Sequence, residues 1–464
     1  MRTTDPTLSR RAFLGATAGS TALLASGGLS LLAAGTAFAA KPTLPTRHPL
    51  YVPPLVTPSG LQLTEAATSV DLGDGRSAKA WAYNGSLPGP TIQARTGDRA
   101  TINLHNGLPG QPTITHWHGM LVDHPNDGHP MSAIGSGASY AYDFPILNRA
   151  AFNWYHPHPH MLTGEQVALG LAGGFIVRDA VEDALQLPGG SREVPLVIRD
   201  TTLDSAGNLL YKPRSGGFLG QLPLVNGTRD PYLDVDAAVY RLRVLGGANS
   251  RIFRLALSDG RLFTLIGNDG GLLAASTSAA SLDLAPGERL DLLVDFRGLA
   301  PGSTISLLDH FTGWSLLEFR VVRSVTDATV IPSGLSTIAA LANPVAVRDF
   351  SFDGMTKING REYDMNRVDF EVPFGQTELW RFRTSGNAPH PVHVHGASFQ
   401  VVRRTGGRNR TFAWESGWKD TVLLNDRETV EVLIRFDSYR GLYVMHCHKL
   451  EHEDMGMMSN FLVV

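Results

Sequence analysis

The sequence predicts an all-β protein built from three β-sandwich domains. Segments such as 99–105 and 428–435 alternate in polarity or are rich in β-branched residues, and turn residues separate them. An Asn-Gly turn followed by a strand pattern occurs three times, beginning at Asn84, Asn226 and Asn359, which indicates an internal repeat. A chain of 464 residues is also long enough for about three domains of ordinary size.

Changes in composition divide the chain into four parts. Turn and small residues accumulate near 182–192 and 325–343, which therefore mark the boundaries between domains. The predicted parts are an export signal (1–39), a first domain (40–185), a second domain (186–325), and a linker with the third domain (326–464). Short helices are expected chiefly at 164–171 and 335–341. The second domain has His310 as its single histidine, so we expect it to act as a spacer between its neighbours.

The first 39 residues predict export. Arg10-Arg11 precedes a run rich in Gly, Ala and Leu that ends in Ala37-Phe38-Ala39, the pattern of a twin-arginine signal with a cleavage site. A membrane anchor is the alternative, but Gly and Ser dilute the run, and no later stretch is apolar enough to span a bilayer. We therefore expect a periplasmic or secreted protein without stable membrane insertion.

Charge and cysteine content narrow the function classes. The formal net charge is −3 at pH 7, which argues against nucleic acid or an anionic membrane surface as a partner. A single cysteine excludes an intramolecular disulfide, the usual role of cysteine in exported proteins. We expect a monomer in which the free thiol ligates a metal.

Nine of the 16 histidines and the only cysteine fall into four short clusters, two toward each end of the mature chain, and a tenth histidine, His452, closely follows the last cluster. The clusters read H-W-H from 116, H-P-H from 156, H-P-V-H-V-H from 390 and H-C-H from 446. Chance placement gives about 0.5 His-x-His pairs, where the chain has five, and this excess favours a metal site. Imidazole, thiolate and thioether together form a ligand set that suits copper.

Strand geometry divides these ligands into two groups. Neighbouring residues on a strand point to opposite faces, so the two histidines of the 446–448 cluster share one face and Cys447 occupies the other. In the 390–395 cluster, the last two histidines share a face and His390 takes the opposite one. The first domain offers two same-face pairs, His116 with His118 and His156 with His158. We therefore expect a single-copper site back to back with a multi-copper site between the first and third domains.

The chain after Cys447 must turn back to complete the single-copper site. One cysteine, two histidines and a long axial methionine form a blue-copper electron-transfer site, and His452 and Met457 are available for it. Met455 and Met458 are adjacent alternatives, and a methionine in this region can also serve only to fill the core.

The motifs H-W-H-G, W-Y-H-P-H, H-P-x-H-x-H-G and H-C-H-x-x-x-H-x-x-x-x-M resemble those of multicopper oxidases, the family that includes laccases, bacterial cuprous oxidases and bilirubin oxidases. The resemblance covers essentially the whole mature chain. It implies three cupredoxin-like Greek-key β-sandwich domains and a copper-dependent oxidoreductase that uses O2 as acceptor. It also implies four copper ions, one of type 1, one of type 2 and two of type 3.

Carried over position by position, the resemblance assigns every copper ligand of the family to a residue of this chain. It gives His390, Cys447, His452 and Met457 to type 1, His116 and His393 to type 2, and His118, His156, His158, His395, His446 and His448 to type 3. Glu453 and Asp127 match the family's proton-relay carboxylates, although ordinary loop carboxylates remain the alternative for both.

The resemblance implies that a reducing substrate gives single electrons to the type 1 copper, and that O2 is reduced by four electrons to water at the other three ions. Segment 385–389 lacks acidic or sulfur ligands for Cu(I), so laccase-like donors, phenols and aromatic amines, are expected. The alternatives are a cuprous or other metal oxidase in copper tolerance and a non-catalytic copper-binding or electron-transfer protein. Residues 418–420 (W-K-D) are expected to shape the surface near the type 1 copper.

Overall fold

The computed structural model describes residues 46–384, 386 and 389–464. In this part the chain is all-β and forms three β-sandwiches, which confirms the predicted fold class. The predicted export signal lies outside the described residues. No helix in the described part is long and apolar enough to cross a bilayer.

The first sandwich contains nine of the ten strands that lie before residue 179, arranged in two sheets. The ten strands are β1 (His48–Pro49), β2 (Leu55–Val56), β3 (Ser59–Asp71), β4 (Ser77–Tyr83), β5 (Gly89–Arg95), β6 (Arg99–Gly107), β7 (Thr115–His118), β8 (Ser139–Pro145), β9 (Ala151–Pro157) and β10 (Gly173–Arg178). The sheets have the orders β2-β5-β10-β9-β7 and β4-β3-β6-β8, while β1 joins a sheet of the second sandwich. Helix α1 (Thr163–Ala168) follows β9, and α2 (Ala180–Ala184) follows β10.

The second sandwich is formed by two six-stranded sheets. Its strands are β11 (Glu193–Thr201), β12 (Leu222–Val225), β13 (Pro231–Asp236), β14 (Val239–Gly246), β15 (Phe253–Leu257), β16 (Phe263–Asn268), β17 (Gly271–Ala279), β18 (Ser281–Leu284), β19 (Arg289–Asp295), β20 (Thr304–Asp309) and β21 (Trp314–Arg323). The orders are β1-β13-β21-β20-β15-β18 and β12-β11-β14-β19-β16-β17.

The third sandwich has two five-stranded sheets and carries the last two sequence clusters. Its strands are β22 (Ala346–Asp353), β23 (Lys357–Ile358), β24 (Phe370–Val372), β25 (Thr377–Arg383), β26 (His390–Val394), β27 (Phe399–Gly406), β28 (Thr421–Leu424), β29 (Glu428–Arg435), β30 (Gly441–Cys447) and β31 (Met458–Val463), with α3 (Leu450–Asp454) before the last strand. The orders are β23-β22-β25-β29-β27 and β24-β31-β30-β26-β28. The remaining helices are short 3₁₀ turns at His124–Asn126, Pro130–Ser132, Gly190–Arg192 and Ala413–Glu415.

Alternating burial explains why the predicted segments are strands. In β29, Val430, Val432 and Ile434 are fully buried while the residues between them are partly exposed. β6 shows the same alternation along 99–107. Apolar side chains from both sheets of each sandwich then meet in its own core, so burial of one face fixes the register of every strand.

The three Asn-Gly pairs adopt one conformation. Asn84, Asn226 and Asn359 have φ of 50°, 49° and 51°, and the glycine after each has φ between 71° and 75°. Two successive residues with positive φ define the type I′ turn, which glycine and asparagine accept with the least strain. The sequence repeat is therefore a repeated hairpin turn.

One predicted helix is present and one is wrong. The prediction at 164–171 corresponds to α1, but 335–341 is not helical. The backbone N–H of Leu335 donates to Ala274 O of β17, and the N–H of Leu341 donates to the Gln400 side chain. Because Leu335 and Leu341 are each buried on neighbouring sandwiches, this segment runs extended across the surface and has no helical stripe to bury.

The strand sets of successive sandwiches separate between Arg178 and Glu193 and between Arg323 and Ala346. The domain boundaries at 185/186 and 325/326 remain predictions. What matters for the site is that β7 and β9 of the first sandwich, and β26 and β30 of the third, are each paired neighbours. His116 lies opposite His156 in one pair, and His393 lies opposite His446 in the other.

Candidate functional site

The first group of ligand-type side chains contains one sulfur and two imidazoles in the third sandwich. His390 Nδ1 lies 3.3 Å from Cys447 Sγ, and His452 Nδ1 lies 3.7 Å from the same sulfur. The two Nδ1 atoms are 3.3 Å apart, so the three donors form a compact triangle. All three residues are fully buried. β26, β30 and α3 supply one donor each, as strand parity predicts for His390 and Cys447.

Met457 occupies the same core as Cys447. Its backbone carbonyl accepts the Cys447 N–H at 3.1 Å, and both side chains are fully buried in the core cluster of the third sandwich. Met455 is 41% exposed, and Met458 packs in a separate small cluster with Tyr363. Of the three methionines considered from the sequence, only Met457 shares a core with the cysteine.

The ionisation of the first group fits a metal cation. Burial raises the pKa of the Cys447 thiol to about 12, and burial lowers the pKa of His390 and His452 to about 3. Neutral imidazoles are ready ligands, whereas the buried thiol loses its proton at neutral pH only when a cation replaces it. Sulfur with two imidazole nitrogens is a donor set that copper prefers.

The second group contains the other eight clustered histidines, all of them buried where the first and third sandwiches meet. The contributors are His116, His118, His156, His158, His393, His395, His446 and His448. His116 Nε2 lies 3.4 Å from His393 Nε2, and His446 Nε2 lies 3.2 Å from His395 Nε2. His158, His395 and His446 place their donor atoms within 4.8 Å of one another, a spacing that one metal ion can bridge.

The outer nitrogens of these histidines are held by acceptors of the protein. His116 Nδ1 lies 2.6 Å from the backbone oxygen of Asp127, and His395 Nδ1 lies 2.8 Å from Asp127 Oδ2. His393 Nδ1 lies 2.9 Å from the backbone oxygen of Asp420. An N–H held in this way fixes the tautomer, so the unprotonated Nε2 of each ring faces the interior of the group.

His118 is turned the opposite way. Its Nε2 donates to Asp420 Oδ1 at 3.0 Å, and its Nδ1 has no hydrogen-bond partner among the described residues. His156 Nε2 and both nitrogens of His448 also lack a partner in the described part of the chain. Buried nitrogens without partners are unfavourable in a protein interior, and a bound cation would satisfy them. The second group therefore fits metal binding as well.

An ion pair from the second sandwich supports this arrangement. Arg289 Nη1 donates to Asp420 Oδ1 at 2.7 Å, and Arg289 Nη2 donates to the other oxygen of the same carboxylate. Arg289 also donates to the backbone oxygens of Phe152 in the first sandwich and Asp269 in the second. One buried guanidinium thus joins all three sandwiches beside His118.

These contacts correct one prediction and extend another. Asp420 was expected near the cysteine-containing site, but the structure places it at the eight-histidine group. The second sandwich also does more than space its neighbours, because Gly287 lies against this group: a Cβ there would meet His448 Cδ2 at 3.0 Å and His118 Cε1 at 3.1 Å. No sequence motif marks Arg289 or Gly287, since neither belongs to a metal-ligand pattern.

Two carboxylates predicted as proton carriers lie beside the eight-histidine group. Glu453 Oε2 is 3.1 Å from His446 Nδ1, and Asp127 Oδ2 faces His395. Burial raises the pKa of Asp127 well above its usual range. Burial also acts to raise the pKa of Glu453, but His158 and His446 outweigh it and hold that pKa below its usual range. The pKa values of the two carboxyl groups are therefore shifted in opposite directions.

The short helix α3 carries His452 and Glu453 and is held from two sides. Asp454 accepts the backbone N–H groups of Thr163 and Gly164 at 2.9 and 2.8 Å. Glu451 accepts from Asn249 Nδ2 at 2.8 Å. Carboxylates on either side of the two functional residues thus fix the helix to the first and second sandwiches. Sequence reasoning did not identify Glu451 or Asp454.

Comparisons with known proteins agree with this chemistry. Residues 65–182 and 336–464 each match a multicopper oxidase family domain. The chain is 32% identical to the cell division protein FtsP of Escherichia coli, over 90% of this chain and 93% of the relative. It is 30% identical to the laccase of Bacillus subtilis, over 82% of this chain and 89% of the laccase.

Solved structures give the same result. McoA multicopper oxidase from Aquifex aeolicus superimposes with a TM-score of 0.83 at 34% identity, over 90% of this chain and 99% of McoA. A multi-copper oxidase from Pediococcus acidilactici gives a TM-score of 0.86 at 33% identity, over 91% and 92% of the two chains. The resemblance carried by the four motifs is confirmed: with its three cupredoxin-like sandwiches, this chain belongs to the multicopper oxidase family, and this membership implies copper binding.

Proposed function

We propose that this protein is a laccase-like oxidase that couples one-electron oxidation of phenols or aromatic amines to four-electron reduction of O2 to water. The observation that carries the proposal is that the chain has two buried groups of metal-ligand side chains, and that both groups include residues of one short segment, 446–448. Cys447 belongs to the first group, and its chain neighbours His446 and His448 belong to the second. Three consecutive residues therefore connect the two groups covalently.

The same geometry supports the assignment of four copper ions. We assign type 1 to His390, Cys447, His452 and Met457, type 2 to His116 and His393, and type 3 to His118, His156, His158, His395, His446 and His448. The short His116–His393 distance supports the type 2 pair, and the close trio of His158, His395 and His446 supports one type 3 site.

Copper, when bound, supplies the one-electron redox chemistry that no side chain in the site provides. The protein's residues hold and orient the ligands, exclude bulk water and deliver protons. Glu453 is proposed to pass a proton from its Oε atoms toward the space between His446 and His158. Asp127, through Oδ2 beside His395, is the second proposed carrier. The full burial of both carboxylates restricts proton movement to their immediate neighbours.

The surroundings of the first group favour an organic donor. His390 and His452 are fully buried. A donor would therefore transfer its electron through protein atoms and need not bind a ligand directly. Every group of three His, Cys, Asp or Glu side chains with donor atoms close enough to share one metal ion, among the described residues, belongs to the two buried groups or includes Asp420. In this part of the chain these side chains therefore form no separate site for a metal-ion substrate.

A second candidate function comes from the relatives. Several of the similar proteins are named cell division protein FtsP, including those of Escherichia coli and Salmonella typhimurium, and the match covers 90% of this chain. A non-catalytic structural role in cell division would not need O2 reduction. Export by the twin-arginine route and a monomeric state remain predictions under either function.

Oxygen uptake distinguishes the candidates. Copper-loaded protein is expected to consume O2 with 2,6-dimethoxyphenol, at a stoichiometry of about four electrons for each O2. The measurement is made with an oxygen electrode, and Cu(I) is supplied in a parallel assay. Faster uptake with Cu(I) than with the phenol would favour a cuprous oxidase, and no uptake with either would favour a non-catalytic role.

Replacement of the sulfur tests the first group. Cys447→Ser is expected to abolish the intense blue absorption and to reduce turnover at least about a thousandfold, because the thiolate gives both the colour and the proposed electron path. Met455→Leu, an exposed neighbour, serves as the matched control and should leave both unchanged. Turnover retained in the serine variant would contradict the electron path.

Replacement of Glu453 tests proton delivery. Glu453→Gln keeps the size of the side chain but cannot cycle a proton, so O2 reduction is expected to slow by about 10²–10⁴-fold while the blue absorption stays. The exposed Glu362→Gln variant controls for a general effect of lost charge. An unchanged turnover number, together with an unchanged solvent isotope effect, would remove Glu453 from the proton path.

Replacement of Asp420 tests the support of the eight-histidine group. Asp420→Asn removes the carboxylate that Arg289 contacts through two hydrogen bonds and alters the acceptor of His118, so copper affinity at this group is expected to fall by about 10–100-fold. Copper content and the electron paramagnetic resonance signal of type 2 copper report the loss, while the blue absorption reports the intact first group. The exposed Asp426→Asn variant is the control. Full copper content in Asp420→Asn would show that the ion pair is not needed.

A further inference from the structure

A cavity of about 260 Å³ lies where the three sandwiches meet, outside both donor groups. The first sandwich contributes Leu121 and Arg149 to its wall, the second contributes Gly270, and the third contributes Ala397 and Trp418. None of its wall residues is a histidine or a cysteine. The proposed oxidase reaction therefore leaves this space without a role.

Arg149 gives the cavity an uncompensated positive charge. It is half-buried, and its side chain donates a hydrogen bond to Ser336 Oγ at 2.7 Å. It forms no salt bridge with any residue that the structure describes. Asp179 acts on Arg149 only through space, because its two oxygens accept the backbone N–H groups of Ala150 and Glu182. A guanidinium with free donors in a partly dry setting is a ready partner for a carboxylate.

The other charges of the wall cancel. Arg435 and Asp437 lie at the exposed mouth and pair with each other at 2.7 Å. Arg149 is therefore the charged side chain of this wall that has no salt-bridge partner among the described residues. A bound molecule with a single negative charge would neutralise the positive charge of Arg149.

The rest of the wall is suited to an apolar body. Ala151, Ala397 and Leu341 are buried and line the cavity together with Trp418. At the end near the Arg289–Asp420 pair, Asn153 lines the cavity and its Nδ2 has no hydrogen-bond partner in the described residues. Pockets for drug-sized ligands have volumes of about 300–1,000 Å³. The volume of this cavity lies just below that range, which indicates a smaller molecule.

We propose that this cavity binds a small aromatic carboxylate, with the carboxylate on the guanidinium of Arg149 and the ring against Ala397 and Trp418. Its charge favours this class over a neutral aromatic, and its partly apolar wall and its volume favour this class over an inorganic anion. The site is distinct from the copper groups, and its occupancy does not depend on the proposed oxidase activity.

Calorimetric titration of the copper-loaded protein with benzoate tests the proposal. Saturable binding of one benzoate per chain is expected, and benzamide, which has nearly the same shape without the charge, is expected to bind at least about tenfold more weakly. Arg149→Gln should weaken benzoate binding by a similar factor. Arg410→Gln, which removes an exposed arginine outside the cavity, is the matched control and should bind as the parent does.

Three results would overturn the proposal. Unchanged benzoate affinity in Arg149→Gln would place the ligand elsewhere, for example on copper. Equal binding of benzamide would show that the charge is not recognised, and displacement of benzoate by an equal concentration of sulfate would show a site for any anion. Should Arg149→Gln fail to fold, Ser398→Phe places a ring in the cavity and is expected to abolish benzoate binding.

Discussion

The buried ion pair between Arg289 and Asp420 is the contact on which the eight-histidine group depends. Its guanidinium comes from the second sandwich, its carboxylate from the third, and a further acceptor, the Phe152 carbonyl, from the first. Two fully buried charges are tolerable only when each satisfies the other, so neither sandwich can shift without exposing an uncompensated charge. Asp420 also accepts hydrogen bonds from His118 and His393. The contact between the three sandwiches therefore fixes the orientation of these two imidazole rings.

Helix α3 repeats this principle on a smaller scale. A five-residue helix has little stability of its own. Asp454 and Glu451 anchor it to the first and second sandwiches, so His452 and Glu453 occupy fixed positions although their helix is short. Both donor groups are thus fixed by contacts between sandwiches, and the strands alone would not suffice.

The sequence predicts what depends on local periodicity and on ligand chemistry. The alternation along β29, the Asn-Gly turns and the opposite faces of Cys447 and its neighbours follow from side-chain period and turn sterics, and the structure shows each of them. What it does not predict depends on distant contacts. Arg289 lies 131 residues from Asp420, and its role exists only after the sandwiches dock. The extended path of 335–341 has the same cause, since its leucines bury on two different sandwiches.

The placement of the eight histidines at a seam has a consequence for biogenesis. No single sandwich contains all eight histidines of the second group, so under the proposed assignment a nascent chain cannot bind its full complement of copper before its first and last sandwiches have met. Under the proposed copper assignment, loss of type 2 and type 3 copper would reveal a misassembled chain, whereas the blue absorption would not, because its four ligands all lie in the third sandwich. Three consecutive residues, His446, Cys447 and His448, contribute to both groups, so the chain segment that completes one group also completes the other.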